Sequence, residues 1–470
     1  MVGITTYGAY VPYNRLNRMR IKEEYGSVVP KGEKAVANYD EDSLTLAVNA
    51  ALCCTKDYDI SSLNAVYFAS TTSPFAEKQA SATLAAVLIP SAKLRTADFG
   101  NSLRAVSSAM LAAIDMAKSA GSVLVAAADC RLGKANGTNE AAFGDAAASF
   151  VFGNEHVIAR ILGTSSMVHD LPDVWRPAGE KFVRGWDEKY TTAKGFIPSV
   201  SQVIKEVLTS TGLQVNDFYK VIIASPRPRN RIEVATKLGF VAEQLQESYF
   251  ETIGDSGTAQ APLMLVGALE DAKPGDKILF VTYGEGADAI VFEVTEEILQ
   301  LAPRCGVANY LKHKRNTMSY GKYLRWKGLL EFEFPRRPNP TRGSVSAYNR
   351  NYEKNYRLSG SRCMVCGTIH FPPQRVCAKC DSVNDFELCS LLGVPAKLTT
   401  YTCDYLAYCE DPPVIASVID FANGGRIMTA LVDVEEQELK VGMELEMSFR
   451  KVNDAEGVKT YFWKAVPKRI

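Results

Sequence analysis

Four cysteines stand in two pairs, Cys363-Met364-Val365-Cys366 and Cys377-Ala378-Lys379-Cys380, with ten residues between the pairs. Two Cys-x-x-Cys knuckles can bring four thiolates to the corners of one tetrahedron, the closed coordination that a structural Zn²⁺ takes. A tetrahedral sulfur site also accepts iron. Two disulfides would need an oxidising compartment, and free thiols are the remaining reading. The opening stretch, Met1-Val2-Gly3-Ile4-Thr5-Thr6, has no basic segment followed by an apolar core. The expectation is therefore no export signal and a reducing cytoplasm. The other seven cysteines (53, 54, 130, 305, 389, 403, 409) are scattered and read as small apolar core residues.

The rest of the titratable chemistry is unevenly placed. The 470 residues carry equal numbers of acidic and basic side chains. Residues 301–380, however, hold 16 Lys and Arg against three Glu and no Asp. That strip reads as a solvated or partner-binding face, or as an anion site for a nucleotide or nucleic acid. Histidine occurs four times, at 156, 169, 313 and 370. General acid–base work near neutral pH most often uses imidazole, and none stands between 170 and 312.

These residues must be held by a large α/β body. Apolar runs at 65–69, 122–127, 221–224 and 277–281 predict buried strands, and helical stretches between them predict a sheet covered on both faces. The Ala-rich stretch 105–118 predicts a buried helix. A short internal repeat, Gly144-Asp145-Ala146-Ala147-Ala148-Ser149-Phe150-Val151-Phe152 against Gly284-Glu285-Gly286-Ala287-Asp288-Ala289-Ile290-Val291-Phe292, implies a duplicated unit. Residues 306–333 read as amphipathic helices, and Pro335-Arg336-Arg337-Pro338-Asn339-Pro340 reads as a linker. Five β segments follow between 396 and 465, with Asn423-Gly424-Gly425 as a hairpin signal, which suits a small barrel of the oligonucleotide/oligosaccharide-binding (OB) type. No apolar run approaches a membrane span. The expected division is 1–155 and 156–298 as the two halves, 299–358 a helical linker, 359–386 the zinc ribbon and 387–470 the barrel.

Several motifs resemble known families. Gly3-Ile4…Gly8-Ala9-Tyr10-Val11-Pro12, Phe143-Gly144-Asp145-Ala146-Ala147-Ala148, Gly254-Asp255-Ser256-Gly257-Thr258-Ala259 and Tyr283-Gly284-Glu285-Gly286 resemble the opening strand and glycine turns of hydroxymethylglutaryl-CoA synthases and ketoacyl synthase III enzymes. The resemblance covers about 1–298 and implies the duplicated five-layered αβαβα thiolase fold. The C-terminal part, with Phe371-Pro372-Pro373-Gln374-Arg375 between the knuckles, Asp411-Pro412-Pro413-Val414 and the ending Tyr461-Phe462-Trp463-Lys464-Ala465, resembles the DUF35 module, a rubredoxin-like zinc ribbon joined to an OB barrel.

The resemblance implies a nucleophilic cysteine within Asp98–Met110, where none exists, and Leu103 takes its position. The histidine of the His-x-Pro segment corresponds to Ala224 of Ala224-Ser225-Pro226. The Asn of the second-half glycine turn corresponds to Asp255, and the acid–base Glu falls near Thr72, with Glu77 too far along. Three functions remain open. The first is a catalytically silent half that scaffolds a complex with a separate cysteine-bearing thiolase, in a hetero-oligomer, with CoA or acyl-CoA as a possible ligand. The second is an aldol/retro-aldol or Claisen-type acyl-CoA lyase, or an HMG-CoA synthase-like enzyme, using other residues such as Asp255, Glu285, Asp145, Tyr283 or Arg104. The third is single-strand nucleic-acid binding through Tyr461, Phe462 and Trp463 with the basic strip.

Other candidates carry a functional and a structural reading side by side. Arg104 could meet CoA or an acyl carboxylate, or pair with Asp98, Asp129 or Asp145. Lys312, Lys314, Arg315, Arg336 and Arg337 could bind phosphates, or form a solvated or subunit-contact face. Tyr320, Tyr323 and Trp326 read as packing a helix onto the thiolase body, and Cys130 as a packed thiol.

Overall fold

The computed structural model of the chain describes every residue except 91, 92, 120, 226, 305, 334–341 and 470. Pro226, Cys305, Arg336, Arg337 and the Pro335–Pro340 stretch therefore lie outside the described residues. The chain divides into two compact units, one of 1–38, 42–85 and 89–327, the other of 39–41, 86–88 and 328–470. Among the described residues, no helix is long and apolar enough to cross a membrane.

The first unit is organised by nine strands: β1 (Gly3–Tyr10), β2 (Leu63–Ala69), β3 (Arg95–Phe99), β4 (Ser122–Asp129), β5 (Ala146–Gly153), β6 (Ala159–Val168), β7 (Phe218–Ile223), β8 (Lys277–Tyr283) and β9 (Gly286–Val294). Their order across the sheet is β7-β8-β9-β6-β1-β5-β4-β2-β3. β1 to β5 form one half, in which β2 runs parallel to β3 and β4, and β5 runs antiparallel to β4 and β1. β6 to β9 repeat the pattern: β7 is parallel to β8, and β9 is antiparallel to β8 and β6. The counterpart of β3 is reduced to a single parallel bridge between Val221 and Leu245. The duplication expected from residues 144–152 and 284–292 is real, since those stretches begin at the turns into β5 and β9 and run along them.

The halves meet where Gly3 and Ile4 of β1 pair with Arg160 and Ala159 of β6. A Cβ on Gly3 would collide with the Ala159 carbonyl, so the seam requires glycine there.

Helices complete the layers. α1 (Ser43–Cys54) starts at a reciprocal Asp42–Thr45 capping box. α2 (Ala105–Ser119) and α4 (Gln260–Asp271) share one core with inward residues of both halves, Tyr67, Val125 and Phe150 from one and Ile222, Phe280 and Phe292 from the other. α3 (Ile197–Thr211) covers the outer face of the second half, where Val221, Leu279, Val281, Ala289 and Val291 meet its Val200, Val203, Ile204 and Val207. Successive residues of β8 thus point into different cores, as a strand buried on both faces must. The layers run α1, the first half of the sheet, α2 with α4, the second half of the sheet, α3, which is the five-layered αβαβα arrangement.

In the second unit a small ribbon, β10 (Ser359–Cys363), β11 (Ile369–His370) and β12 (Phe386–Ser390), precedes a closed barrel. The barrel strands are β13 (Ala396–Asp404), β14 (Val414–Phe421), β15 (Arg426–Leu431), β16 (Glu444–Ala455) and β17 (Val458–Pro467). The Asn423-Gly424-Gly425 turn joins β14 to β15, with Gly424 at φ +93°. The barrel core stacks Phe449 on Tyr461 and sets Trp463 edge-on to it. Arg450 is wholly buried and is neutralised by Asp40, Glu41 and Asp433, while Lys464 adds a second cation on Asp40. A buried guanidinium is tolerable only with such complete pairing.

Residues 306–327 belong to the first unit and contribute two short helices, Val307–Lys312 and α5 (Tyr320–Trp326). Tyr320 and Tyr323 of α5 are buried with Leu16, Ile21 and Val36, as the packing reading of these aromatics expects. Under them Lys34 is 2 % exposed, donates to the Glu140 carbonyl and to Tyr323 Oη at 3.0 Å, and sits 4.2 Å from the Tyr323 ring centre. Burial first, then the Lys327 charge, lowers the Lys34 pKa to about 7, against the opposing pull of Glu140 and Asp145. Unfolding restores an ordinary lysine, so between about pH 7 and the normal lysine pKa the unfolded chain binds more protons and stability rises with pH. Lys34→Met removes this dependence. Urea titrations from pH 7 to 9 are expected to show wild type gaining stability relative to the variant as pH rises, and a constant difference would refute the assignment.

Candidate functional site

The positions implied by family resemblance come together. Leu103 stands on the approach to α2, Ala224 directly follows β7, and Asp255 lies in the turn before α4. All three line one small cavity with Val106, Ser225, Thr258, Thr282 and Tyr283. Three segments far apart in sequence are thus delivered to one point by the strand ends and by the N-termini of the two central helices. The cavity measures about 20 Å³, room for about one water molecule. Among the described residues that line it there is neither a thiol nor an imidazole.

The polar groups around this point are occupied. Arg131 is 4 % exposed, pairs with Asp255 Oδ2 at 3.1 Å and lies 4.0 Å from the Phe143 ring centre. The second carboxylate oxygen of Asp255 accepts the Gly257 amide at 2.9 Å. Asp129, fully buried at the end of β4, accepts from the Ser70, Thr71, Thr72 and Thr258 hydroxyls and from the Thr71 and Thr258 amides. Thr72, near the expected acid–base position, is therefore a donor to Asp129 that also accepts the Cys130 amide. Burial and then the Asp145 charge push the Cys130 thiol well above its ordinary pKa, which keeps it protonated and a poor nucleophile. Burial, followed by the Asp173 and Glu285 charges, pushes the Tyr283 phenol upward as well.

Arg104 has a partner that the sequence reading missed. Its guanidinium meets Asp288 at 2.7 and 3.0 Å, not Asp98, Asp129 or Asp145. Its remaining donor reaches the carbonyls of Met167 at 2.9 Å and Glu285 at 3.2 Å. The signal was present in Ala287-Asp288-Ala289, because a carboxylate inside an apolar strand demands a buried cation or a set of donors. Glu285 itself accepts the Ser102 hydroxyl at 2.6 Å, and Asp145 receives Lys327 and the Ala37 amide. In the basic strip, Lys314 pairs with Glu33 and Arg315 binds Asn14 Oδ1. Of the aromatic trio at 461–463, Tyr461 and Trp463 are 3 % and 0 % exposed, so they build the barrel core and offer no stacking surface to a base.

The four ribbon cysteines do converge. Their sulfurs all lie within 4.8 Å of one another, with Cys363 to Cys380 at 3.6 Å and Cys366 to Cys377 at 3.5 Å. Zn–S bonds of about 2.3 Å in a tetrahedron place sulfurs roughly 3.8 Å apart, so the donor set fits Zn²⁺. Each knuckle is turned by its own amides: Gly367 donates to the Cys363 carbonyl, and Asp381 to that of Cys377. Gly367 and Asp381 both adopt left-handed φ, +74° and +58°. The hydroxyl of Ser382 lies 3.0 Å from Cys363 Sγ, and His370 Nε2 lies 3.4 Å from Cys377 Sγ, so the sulfurs have outer partners.

Comparison with known proteins agrees with this division. Over residues 350–385 the chain matches the family described as the rubredoxin-like zinc ribbon domain of ChsH2, and over 392–450 the ChsH2 C-terminal OB-fold domain. Hydroxymethylglutaryl-CoA synthase of Aeropyrum pernix is 32% identical over 342 residues, 70% of this chain and 94% of that protein. The chain belongs to the hydroxymethylglutaryl-CoA synthase family. The synthase of Methanopyrus kandleri is 30% identical over 348 residues, covering 70% and 98% of the two chains. Among solved structures, an HMG-CoA synthase complexed with CoA aligns with TM-score 0.63 at 19% identity over 73% of this chain and 94% of the other. A 3-oxoacyl-[acyl-carrier-protein] synthase III from Aquifex aeolicus aligns with TM-score 0.57 at 20% identity, covering 62% and 100%. The thiolase-type fold of the first unit follows from both.

The metal assignment has a direct check. Elemental analysis of the purified chain is expected to find about one zinc per chain, and Cys363→Ser should abolish it and loosen the ribbon. Stoichiometric metal retained by the serine variant would exclude this ligand set.

Proposed function

We propose that this chain is a catalytically silent synthase-family subunit that scaffolds or regulates an acyl-CoA thiolase or C-acyltransferase complex, with the nucleophilic cysteine on a separate thiolase subunit. The observation that carries this reading is the convergence of Leu103, Ala224 and Asp255 on one cavity. The resemblance assigns those positions to the nucleophile, its imidazole and an amide. A leucine side chain has no atom that can attack a thioester, an alanine has none that can move a proton, and Asp255 is committed to Arg131. Covalent acyl transfer needs an activated nucleophile and a base within hydrogen-bond reach. A solved structure of an HMG-CoA synthase complexed with CoA makes CoA or acyl-CoA the ligand to test. The zinc ribbon and barrel would supply the docking module, in the cytoplasm.

The lyase reading has less support. Asp255, Glu285, Asp145 and Arg104, its candidate charges, each hold a structural partner, and moving a proton would mean breaking that contact.

The purified chain incubated with acetyl-CoA is expected to show no mass increase on intact-protein mass spectrometry and no acyl transfer. Pull-down from the native source should recover a second thiolase-fold chain with a cysteine at the start of its central helix. A stable acyl adduct on this chain, or recovery solely as a homodimer, would defeat the proposal.

A further inference from the structure

The glycine turn between β8 and β9 is built against the segment that leads into α2. Glu285 takes a left-handed conformation at φ +41°, and Gly286 lies at φ +117°. A Cβ on Gly284 would approach Ser102 Oγ to 2.7 Å, and one on Gly286 would approach Arg104 Nη1 to the same distance. A Cβ on Gly286 would also collide with the Met167 carbonyl, so the close approach of the turn to the end of β6 requires glycine there. Its one side chain, Glu285, accepts the Ser102 hydroxyl. Its carbonyl accepts Arg104 Nη1 at 3.2 Å and the His169 amide at 3.1 Å.

A second set of bonds lies two residues beyond Gly286, in β9. Asp288, with its side chain 1 % exposed, takes the Arg104 fork on both oxygens and the Ser107 hydroxyl at 2.5 Å. Ser107 in turn accepts the Thr282 hydroxyl at 2.7 Å. Arg104 and Ser107 belong to the first half of the duplicated fold, and Asp288, Glu285 and Thr282 to the second. Arg104 also holds the end of β6 through the Met167 carbonyl.

We infer that Arg104 is a cross-brace between the two halves, whose five-donor fork binds Asp288 and the Met167 and Glu285 carbonyls and so sets the conformation of the 283–286 turn beside the cavity. Bidentate pairing plus two carbonyl bonds suits a planar guanidinium and cannot be reproduced by a lysine ammonium. The assignment is independent of whether the chain is silent: it makes Arg104 a positioning residue, and it removes Arg104 from the groups available to an incoming CoA phosphate or acyl carboxylate.

The test combines a double-mutant cycle with hydrogen exchange on the full chain. Arg104→Met and Asp288→Asn are each expected to raise the unfolding equilibrium constant at least about 100-fold, because each strands a buried charge or its partner. The double variant should be less destabilised than the product of the singles by roughly 10-fold or more. Independent, multiplicative effects would overturn the brace. Should the methionine variant not fold, Arg104→Lys keeps the charge and supplies the second arm. Amides of 167–169 and 284–286 should then exchange at least about 10-fold faster while those of β2 keep their wild-type rates. Unchanged exchange at the turn, or acceleration spread evenly over the unit, would overturn it equally.

Discussion

The first unit depends on one constraint: two helices, α2 and α4, pack between the two halves of the sheet, α4 with almost no solvent face and α2 with only its Asp115, Lys118 and Ser119 side turned to water. Gln260 through Leu269 are buried without a break, and α2 buries Ala105, Ala109, Ala113 and Ala117 along one stripe. Small residues let the sheets approach, and the close packing leaves little room for voids. The same constraint places the site. Helices held between the two halves of the sheet present their N-terminal ends to the strand termini, so residues 102–104, 224–225 and 255–258 are brought together. The scaffold of a catalytic centre is therefore present independently of its chemistry.

The buried carboxylates found there are held by structural partners. Asp129, Asp255 and Asp288 are all nearly or fully buried, and each is satisfied by a specific set of donors. Burying a carboxylate is costly unless it is paired and hydrogen-bonded, so each donor set constrains loops drawn from both halves. Asp129 alone organises residues 70–72 and the turn at 258. Such sites hold conformation, and the candidates for acid–base work are the same groups that hold it.

The second unit solves a different problem. A ribbon of three short strands has too little apolar interior to fix itself, and four sulfurs around one ion can replace a core. The barrel that follows is large enough to bury Phe449, Tyr461 and Trp463 together. It also encloses Arg450, which is affordable only because three carboxylates surround it.

Period and composition alone were enough to read much of this architecture. Continuous apolar runs marked the buried strands, the 144–152 and 284–292 repeat marked the duplication, and Cys-x-x-Cys spacing marked the metal ligands, because each of these is a local pattern with a local cause. The partner of Arg104 was not legible. Asp98, Asp129 and Asp145 were nearer in sequence, and the pairing with Asp288 exists only because duplication folds β9 back onto the start of α2. The aromatic run at 461–463 looked like a binding surface, since alternation along a strand does not say which face closes the barrel. The 306–327 helices could have been a free linker by composition, and the packing of Val307 into the central core and of Tyr320 and Tyr323 with Leu16 and Val36 assigns them to the first unit. The sequence by itself determined the elements, the four sulfur ligands and the absence of a thiol or imidazole at the aligned positions. The tertiary structure alone decided that Leu103, Ala224 and Asp255 share a cavity and that the nearby charges are spent on one another, because long-range pairing of buried charges is set by chain topology and carries no signature in local sequence.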